Sequence, residues 1–159
     1  MLIVEDDEDD VFLFKRALER ARTAFACEIE CEEVGNGLDA LFLVSREDLT
    51  EKLPDALVLD LNMPRLNGLE FLRSLRQSLA LRHVPVFVLT TTTAPAIHRE
   101  AMEAGANRVY VKPNDSEALA AIAWEIVAAS CRPHSLRAPS GANADRKQKG
   151  SLRERGALP

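Results

Sequence analysis

Short apolar runs alternate along the chain with longer segments in which large side chains recur every three or four residues. Residues 2–4, 56–61, 84–89 and 109–111 are nearly continuous in Leu, Ile and Val, the pattern of strands buried on both faces. Residues 28–34 alternate instead, with Ile29 and Cys31 set between acids, as an edge strand with one wet face does. Helices are predicted over about 8–22, 37–49, 68–79, 96–104 and 116–130. In the first of these Val11, Phe14, Leu18 and Ala21 recur at spacings of three and four and so form a core stripe, with Phe12 and Leu13 off it. Gly105 suits the left-handed cap that ends the fourth helix, and Pro95 suits its first turn, where a missing N–H costs little.

Five strand–helix units result, and right-handed crossovers between parallel strands turn them into an α/β doubly wound sheet. The composition agrees: 47% of the 159 residues are hydrophobic and only 5% aromatic, as expected where sheet and helices bury aliphatic surface. This length predicts one core and leaves little room for a second full domain. Three cysteines, Cys27, Cys31 and Cys131, have no metal-ligand spacing with the histidines, and their odd number argues for a reducing, cytoplasmic setting. No stretch approaches the ~20 apolar residues of a spanning helix, and the N-terminus lacks a basic leader, so a soluble, unexported protein without membrane attachment is expected. Charge is uneven. Residues 131–159 carry seven Lys/Arg against Asp145 and Glu154, so the net −5 of the whole leaves −10 on residues 1–130. Such an acidic body repels phosphate backbones and excludes nucleic acid as its partner. Residues 131–159, rich in Pro, Ser, Gly and basic residues, cannot bury enough surface to offset the entropy of ordering and are expected to form a disordered basic tail. The domain itself is expected to span 1–130.

The ligand site of a doubly wound sheet lies beyond the carboxyl ends of its strands. Those ends carry Val4-Glu5-Asp6-Asp7, Leu59-Asp60-Leu61-Asn62-Met63-Pro64, Leu89-Thr90-Thr91 and Val111-Lys112-Pro113. Parallel pairing would bring Glu5, Asp6 and Asp60 within a few ångströms of one another, with Thr90 and Lys112 on the rim. Three neighbouring carboxylates repel unless protonated or bound to a cation, and hard oxygen ligands suit Mg²⁺ (or Mn²⁺). Such an ion would also neutralise an incoming phosphoryl group, with Lys112 adding positive charge and Thr90 a hydroxyl donor. Each residue alone has an ordinary turn or capping explanation. The set, at successive strand ends, does not.

With those motifs, together with Asn67-Gly68-Leu69-Glu70, the chain resembles the response-regulator receiver family over roughly residues 1–128. The resemblance implies a flavodoxin-like, five-stranded parallel sheet of order 2-1-3-4-5. It implies a phosphoacceptor, Asp60, and an acidic pocket of Glu5 and Asp6. It implies a Mg²⁺ site formed by Asp6, Asp60 and the main-chain carbonyl of Asn62, and phosphate contacts by Thr90 and Lys112. The chain would then be a stand-alone two-component regulator, no enzyme beyond catalysing its own phosphorylation and dephosphorylation. It would take its phosphoryl group from a sensor histidine kinase or a histidine phosphotransfer protein. The opening Glu-Asp-Asp-Glu-Asp-Asp-Val-Phe-Leu is also similar to small regulators paired with bacterial phytochrome kinases. In the sequence, Val109 stands three residues before Lys112, where the family carries an aromatic switch residue, and Tyr110 follows it.

Phe12 and Leu13 lie where such regulators dock the kinase's helix pair, and apolar surface on the last helix, Trp124 above all, suggests a homodimer along the fourth and fifth helices. A phosphohydrolase of the haloacid-dehalogenase type would require a second Asp two residues after the nucleophile, and Asn62 stands there. A receiver-like scaffold that works without phosphate would have lost an acid, the Thr or the Lys, and all are present.

Overall fold

A computed structural model describes residues 1–25, 28–49, 52–78 and 81–130. Cys27, Cys131, position 79 at the end of the predicted third helix and the predicted tail 131–159 lie outside the described residues. Among the described residues the elements alternate as β1 (Leu2–Val4), α1 (Glu8–Phe25), β2 (Glu32–Val34), α2 (Gly37–Leu49), β3 (Leu57–Leu59), α3 (Gly68–Gln77), β4 (Val86–Thr90), α4 (Pro95–Glu103), β5 (Arg108–Val111) and α5 (Ser116–Ser130), with a 3₁₀ turn at Leu81–His83. The sheet is parallel throughout and its order is β2-β1-β3-β4-β5.

Both faces of the sheet are covered, which is why the strand sequences run apolar without alternation. Leu2, Val4, Leu57, Leu59, Val86 and Val88 point to one side, where Phe71, Leu72 and Leu75 of α3, Ala40 and Val44 of α2 and Ala101 of α4 meet them. Ile3, Val58, Phe87 and Leu89 point to the other, against Val11, Phe14, Ala17, Leu18 and Ala21 of α1 and Ala123, Ile126 and Val127 of α5. The predicted stripe of α1 is thus its buried face, with Phe12 and Leu13 exposed at 59% and 46%.

The structure corrects the predicted second strand. β2 has three residues, because β1 supplies only three rungs, Leu2, Ile3 and Val4, opposite Glu32, Glu33 and Val34. Ile29 and Cys31 nonetheless pack against the α1 and α5 layer from the preceding loop. Trp124 is half exposed and its ring lies 5.1 Å from that of Phe25, so its aromatic neighbour belongs to α1 rather than to α4.

Two glycines fix how α3 and α4 meet the sheet. Asn67 caps α3, its side chain accepting from the Glu70 N–H while the Glu70 carboxylate accepts from the Asn67 N–H, a reciprocal pair that satisfies two otherwise orphaned donors. This entry presses Gly68 onto the end of β3, where a Cβ would stand 2.1 Å from the Asp60 carbonyl oxygen. Gly68 serves close approach here; it does not have a positive φ. Gly105, at φ +104°, ends α4 as expected, and a Cβ on it would meet the Arg76 side chain at 2.9 Å. The Arg76 guanidinium donates to the carbonyls of Gly105 (2.8 and 3.0 Å) and Val84 (2.9 Å), tying α3 to the loops that lead into β5 and β4.

Alanine at these two positions separates close approach from backbone conformation. Gly105→Ala is expected to cost about 1–2 kcal/mol through the left-handed backbone, since Arg76 can yield. Gly68→Ala meets main chain and is expected to cost about 3 kcal/mol or more, the upper end of overpacking. Urea unfolding of both variants checks this, and equal losses would mean that the β3–α3 approach is not tight.

Candidate functional site

The carboxyl ends of β1, β3, β4 and β5 converge through main-chain bonds that continue the ladder one residue beyond the strands. The Asp60 N–H donates to the Val4 carbonyl at 2.9 Å, Glu5 N–H to Val34 at 3.0 Å and Lys112 N–H to Thr90 at 2.8 Å. Each functional side chain therefore leaves a backbone that is already fixed. Carboxylate oxygens of Glu5, Asp6 and Asp60 lie within 4.8 Å of one another, and among the described residues these three form the group able to share a cation.

The layering of this site differs from the one expected, which put Thr90 and Lys112 on the rim. Thr90 is fully buried at the end of β4, Asp60 is 4% exposed and Glu5 is buried, whereas Asp6 is the exposed member. The side chain of Lys112 is only 12% exposed. The rim is therefore acidic and the cation lies inside, because β4 and β5 are inner and outer neighbours of the same ladder and Lys112 reaches inward from its end.

The Asp60 carboxylate is held asymmetrically. Its Oδ2 accepts from the Asn62 N–H at 3.0 Å, while its Oδ1 is buried with no hydrogen-bond partner. The Asn62 side-chain amide donates to the Thr91 hydroxyl at 3.2 Å, linking the loop after β3 to the one after β4. The Lys112 Nζ donates to Glu5 Oε2 at 2.6 Å and to Asp10 Oδ2 at 2.7 Å, and stands 3.9 Å from Asp60 Oδ1. Burial raises the Glu5 pKa above its ordinary value, and the bond from Lys112 only partly opposes this. Burial alone would lower the Lys112 pKa, but the bonds to Asp10 and Glu5 and the charge of Asp60 outweigh it and hold the ammonium above its usual range.

The run of six acids that opens the chain divides by role. Glu5 and Asp6 face the pocket. Asp7 caps α1, its Oδ1 accepting from the Asp9 N–H at 2.9 Å and the Asp10 N–H at 3.3 Å. Glu8, Asp9 and Asp10 fill the first turn, where the helix dipole favours them. Asp10, in the first turn of α1, reaches the same pocket through Lys112, a contact that no spacing in the sequence indicates.

Tyr110 and Val109 lie on opposite faces of β5. Val109 packs with the α2, α3 and α4 layer, and Tyr110 with the α1 and α5 layer, where its hydroxyl donates to Glu125 at 3.0 Å. The aromatic ring thus sits across the sheet from the position three residues before Lys112. No helix of the described residues is long and apolar enough to cross a membrane.

The comparisons with known proteins agree with this geometry. The receiver domain of response regulators matches residues 1–123. The chain is 36% identical over 115 residues to the sensory/regulatory protein RpfC of Xanthomonas campestris, covering 71% of this chain but 14% of RpfC. It is 36% identical to the probable methanogenesis regulatory protein FilR2 of Methanothrix harundinacea, over 79% of each. Among solved structures, the phosphorylated cyanobacterial phytochrome response regulator RcpA superimposes with a TM-score of 0.70 at 25% identity, over 81% of this chain and 91% of RcpA. The Mn²⁺-bound response regulator Rcp1 does so with 0.64 at 27%, over 80% and 90%. Receiver domains are signalling modules rather than ordinary enzymes, and on the extent of the match and the order of its sheet this chain belongs to the response-regulator receiver family.

Proposed function

We propose that the chain is a two-component response regulator that accepts a phosphoryl group on Asp60 and signals through the change in shape and binding that follows. The observation that carries this reading is the Asp60 carboxylate, with one oxygen fixed by Asn62 and the other buried and unpartnered beside an ammonium. A nucleophile needs a fixed direction and a lone pair not already committed. In the transfer, an Asp60 oxygen bonds to phosphorus as the phosphorus–nitrogen bond of a donor phosphohistidine breaks. The electron pair leaves with the imidazole, which takes up a proton. Lys112 supplies positive charge for the transferred oxygens and Thr90 a hydroxyl donor.

The donor set fits a hard divalent cation, because three carboxylates converge and one buried oxygen lacks a partner. Glu5, Asp6 and Asp60, with the main-chain carbonyl of Asn62, would hold Mg²⁺ or Mn²⁺, which would supply the charge that offsets the phosphoryl oxygens. The Mn²⁺-bound form of Rcp1 supports this assignment.

The donor in this reading is a cytoplasmic sensor histidine kinase or histidine phosphotransfer protein, and the likeness to RcpA favours a bacterial phytochrome. Exposed Phe12 and Leu13 on α1 are the contact for its helices. A homodimer along α4 and α5 would use the exposed Met102 of α4 and Val111 of β5 between them, rather than Trp124, whose ring packs on Phe25 of α1. The receiver unit runs to the end of α5 at Ser130.

Incubation with acetyl phosphate and Mg²⁺, followed by intact-protein mass, is expected to add one phosphoryl group to the wild type and none to Asp60→Asn. A wild type that gains no mass and binds no beryllofluoride would overturn the reading. With a kinase that phosphorylates the wild type, Phe12→Ala with Leu13→Ala is expected to slow transfer about tenfold or more, leaving labelling by acetyl phosphate unchanged. Sedimentation with and without beryllofluoride tests the dimer, and a monomer in both would remove it.

A further inference from the structure

Asp10 stands outside the three-carboxylate group, yet it holds the pocket's cation as closely as Glu5 does. Its Oδ2 accepts from Lys112 Nζ at 2.7 Å, against 2.6 Å for Glu5. Two of the three ammonium protons are thereby used. The same nitrogen is 3.9 Å from Asp60 Oδ1, beyond hydrogen-bonding range, and that oxygen is left buried without a partner. A buried carboxylate oxygen beside a cation would ordinarily be bonded to it. Here the cation is drawn to the α1 side of the pocket.

The geometry points to Asp10 as a positioning residue that tethers Lys112 away from Asp60, so that the ammonium must be released from Asp10 to reach a phosphoryl group. This rests on the phosphoacceptor role of Asp60 and adds to it a residue that opposes the phosphorylated state. Glu5 cannot play that part alone, because it belongs to the group that a bound cation would engage, whereas Asp10 remains free to compete for the lysine. The Asp10 carboxylate is about a third exposed, at 36%. Its loss removes a bond of intermediate strength, the kind that moves an equilibrium about three- to tenfold. The main-chain bond from Asp10 to the Asp7 side chain survives substitution, so the α1 cap stays intact.

Beryllofluoride binding in the presence of Mg²⁺, read by calorimetry, tests the tether with three variants. Asp10→Asn is expected to bind about three- to tenfold more tightly than wild type and to hold its phosphoryl group correspondingly longer. Asp10→Glu, which keeps a carboxylate within reach of the lysine, is expected to return near the wild-type value. Asp9→Asn removes the same charge from the same turn, where the structure gives it no contact with Lys112, and is expected to change binding less than about twofold. Equal tightening by Asp9→Asn and Asp10→Asn would reduce the effect to net charge and overturn the tether. Unchanged or weaker binding by Asp10→Asn, or tightening by Asp10→Glu as large as by Asp10→Asn, would overturn it too. A wild type that neither binds beryllofluoride nor accepts phosphate would instead remove the underlying reading of Asp60.

Discussion

A carboxylate at the end of the central strand, 4% exposed, is the constraint around which this domain is arranged. Burying such a group without compensation is costly, and removing the partner of a buried charge is more costly still. Asp60 is compensated from two directions, its own loop and the end of a different strand. The Asn62 N–H comes from the loop after β3 and the Lys112 ammonium from the end of β5, whereas the Glu5 and Asp6 carboxylates repel it and make the remainder of the pocket an acceptor for further positive charge. The site is therefore the place where the sheet's strands must be in register, and a slip of one residue in β1, β3 or β5 would turn one of these groups to the other face.

The packing serves that register. Leu57 and Leu59 bury toward α3 while Val58 buries toward α1 and α5, so β3 is clamped on both faces over only three residues. At its exit, the capped first turn of α3 lays Gly68 directly on the Asp60 carbonyl. The backbone that carries Asp60 is thus fixed by van der Waals contact as well as by hydrogen bonds. This explains why a motif as ordinary as Asn67-Gly68-Leu69-Glu70 accompanies the acid seven residues before it: Asn67 and Glu70 build the cap, and Gly68 supplies the missing Cβ that lets it approach.

Local periodicity made the fold legible. The unbroken apolar runs marked strands covered on both faces, and the three-and-four spacing of Val11, Phe14, Leu18 and Ala21 marked the buried face of α1. The grouping of Glu5, Asp6, Asp60, Thr90 and Lys112 followed from one topological rule about strand ends. What escaped was non-local. The length of β2 depends on how many rungs β1 offers, and the alternating pattern of residues 28–34 carries no information about its partner. Arg76 reads as a surface residue of a helix, and only the fold reveals that Gly105 and Val84 turn their carbonyls toward it. The burial of Thr90 and the bond between Asp10 and Lys112, 102 residues apart in sequence, depend on side-chain reach across the sheet.

The position of Tyr110 limits how a change at Asp60 can spread. A ring that packs on the α1 and α5 side, with its hydroxyl on Glu125, is separated from Thr90 by the sheet itself, since alternation along β4 directs Thr90 to the same side as Val86 and Val88. A route that relied on a rotating aromatic beside Thr90 therefore has no ring to rotate. What does adjoin Asp60 on that side is a hydrogen-bonded path through the loop after β4. Asn62 binds the Thr91 hydroxyl, the Thr92 N–H reaches the Thr90 hydroxyl at 3.4 Å, and the Thr92 carbonyl meets the His98 Nε2 at 2.7 Å. His98 belongs to the first turns of α4, whose N-cap, Ala94, makes no side-chain cap bond. A helix start without that bond lacks one of the contacts that would hold it in a single pose. The physical case for movement accordingly falls on the β4–α4 loop and the entry of α4, carried by main-chain and threonine contacts, rather than on the aromatic residue of β5.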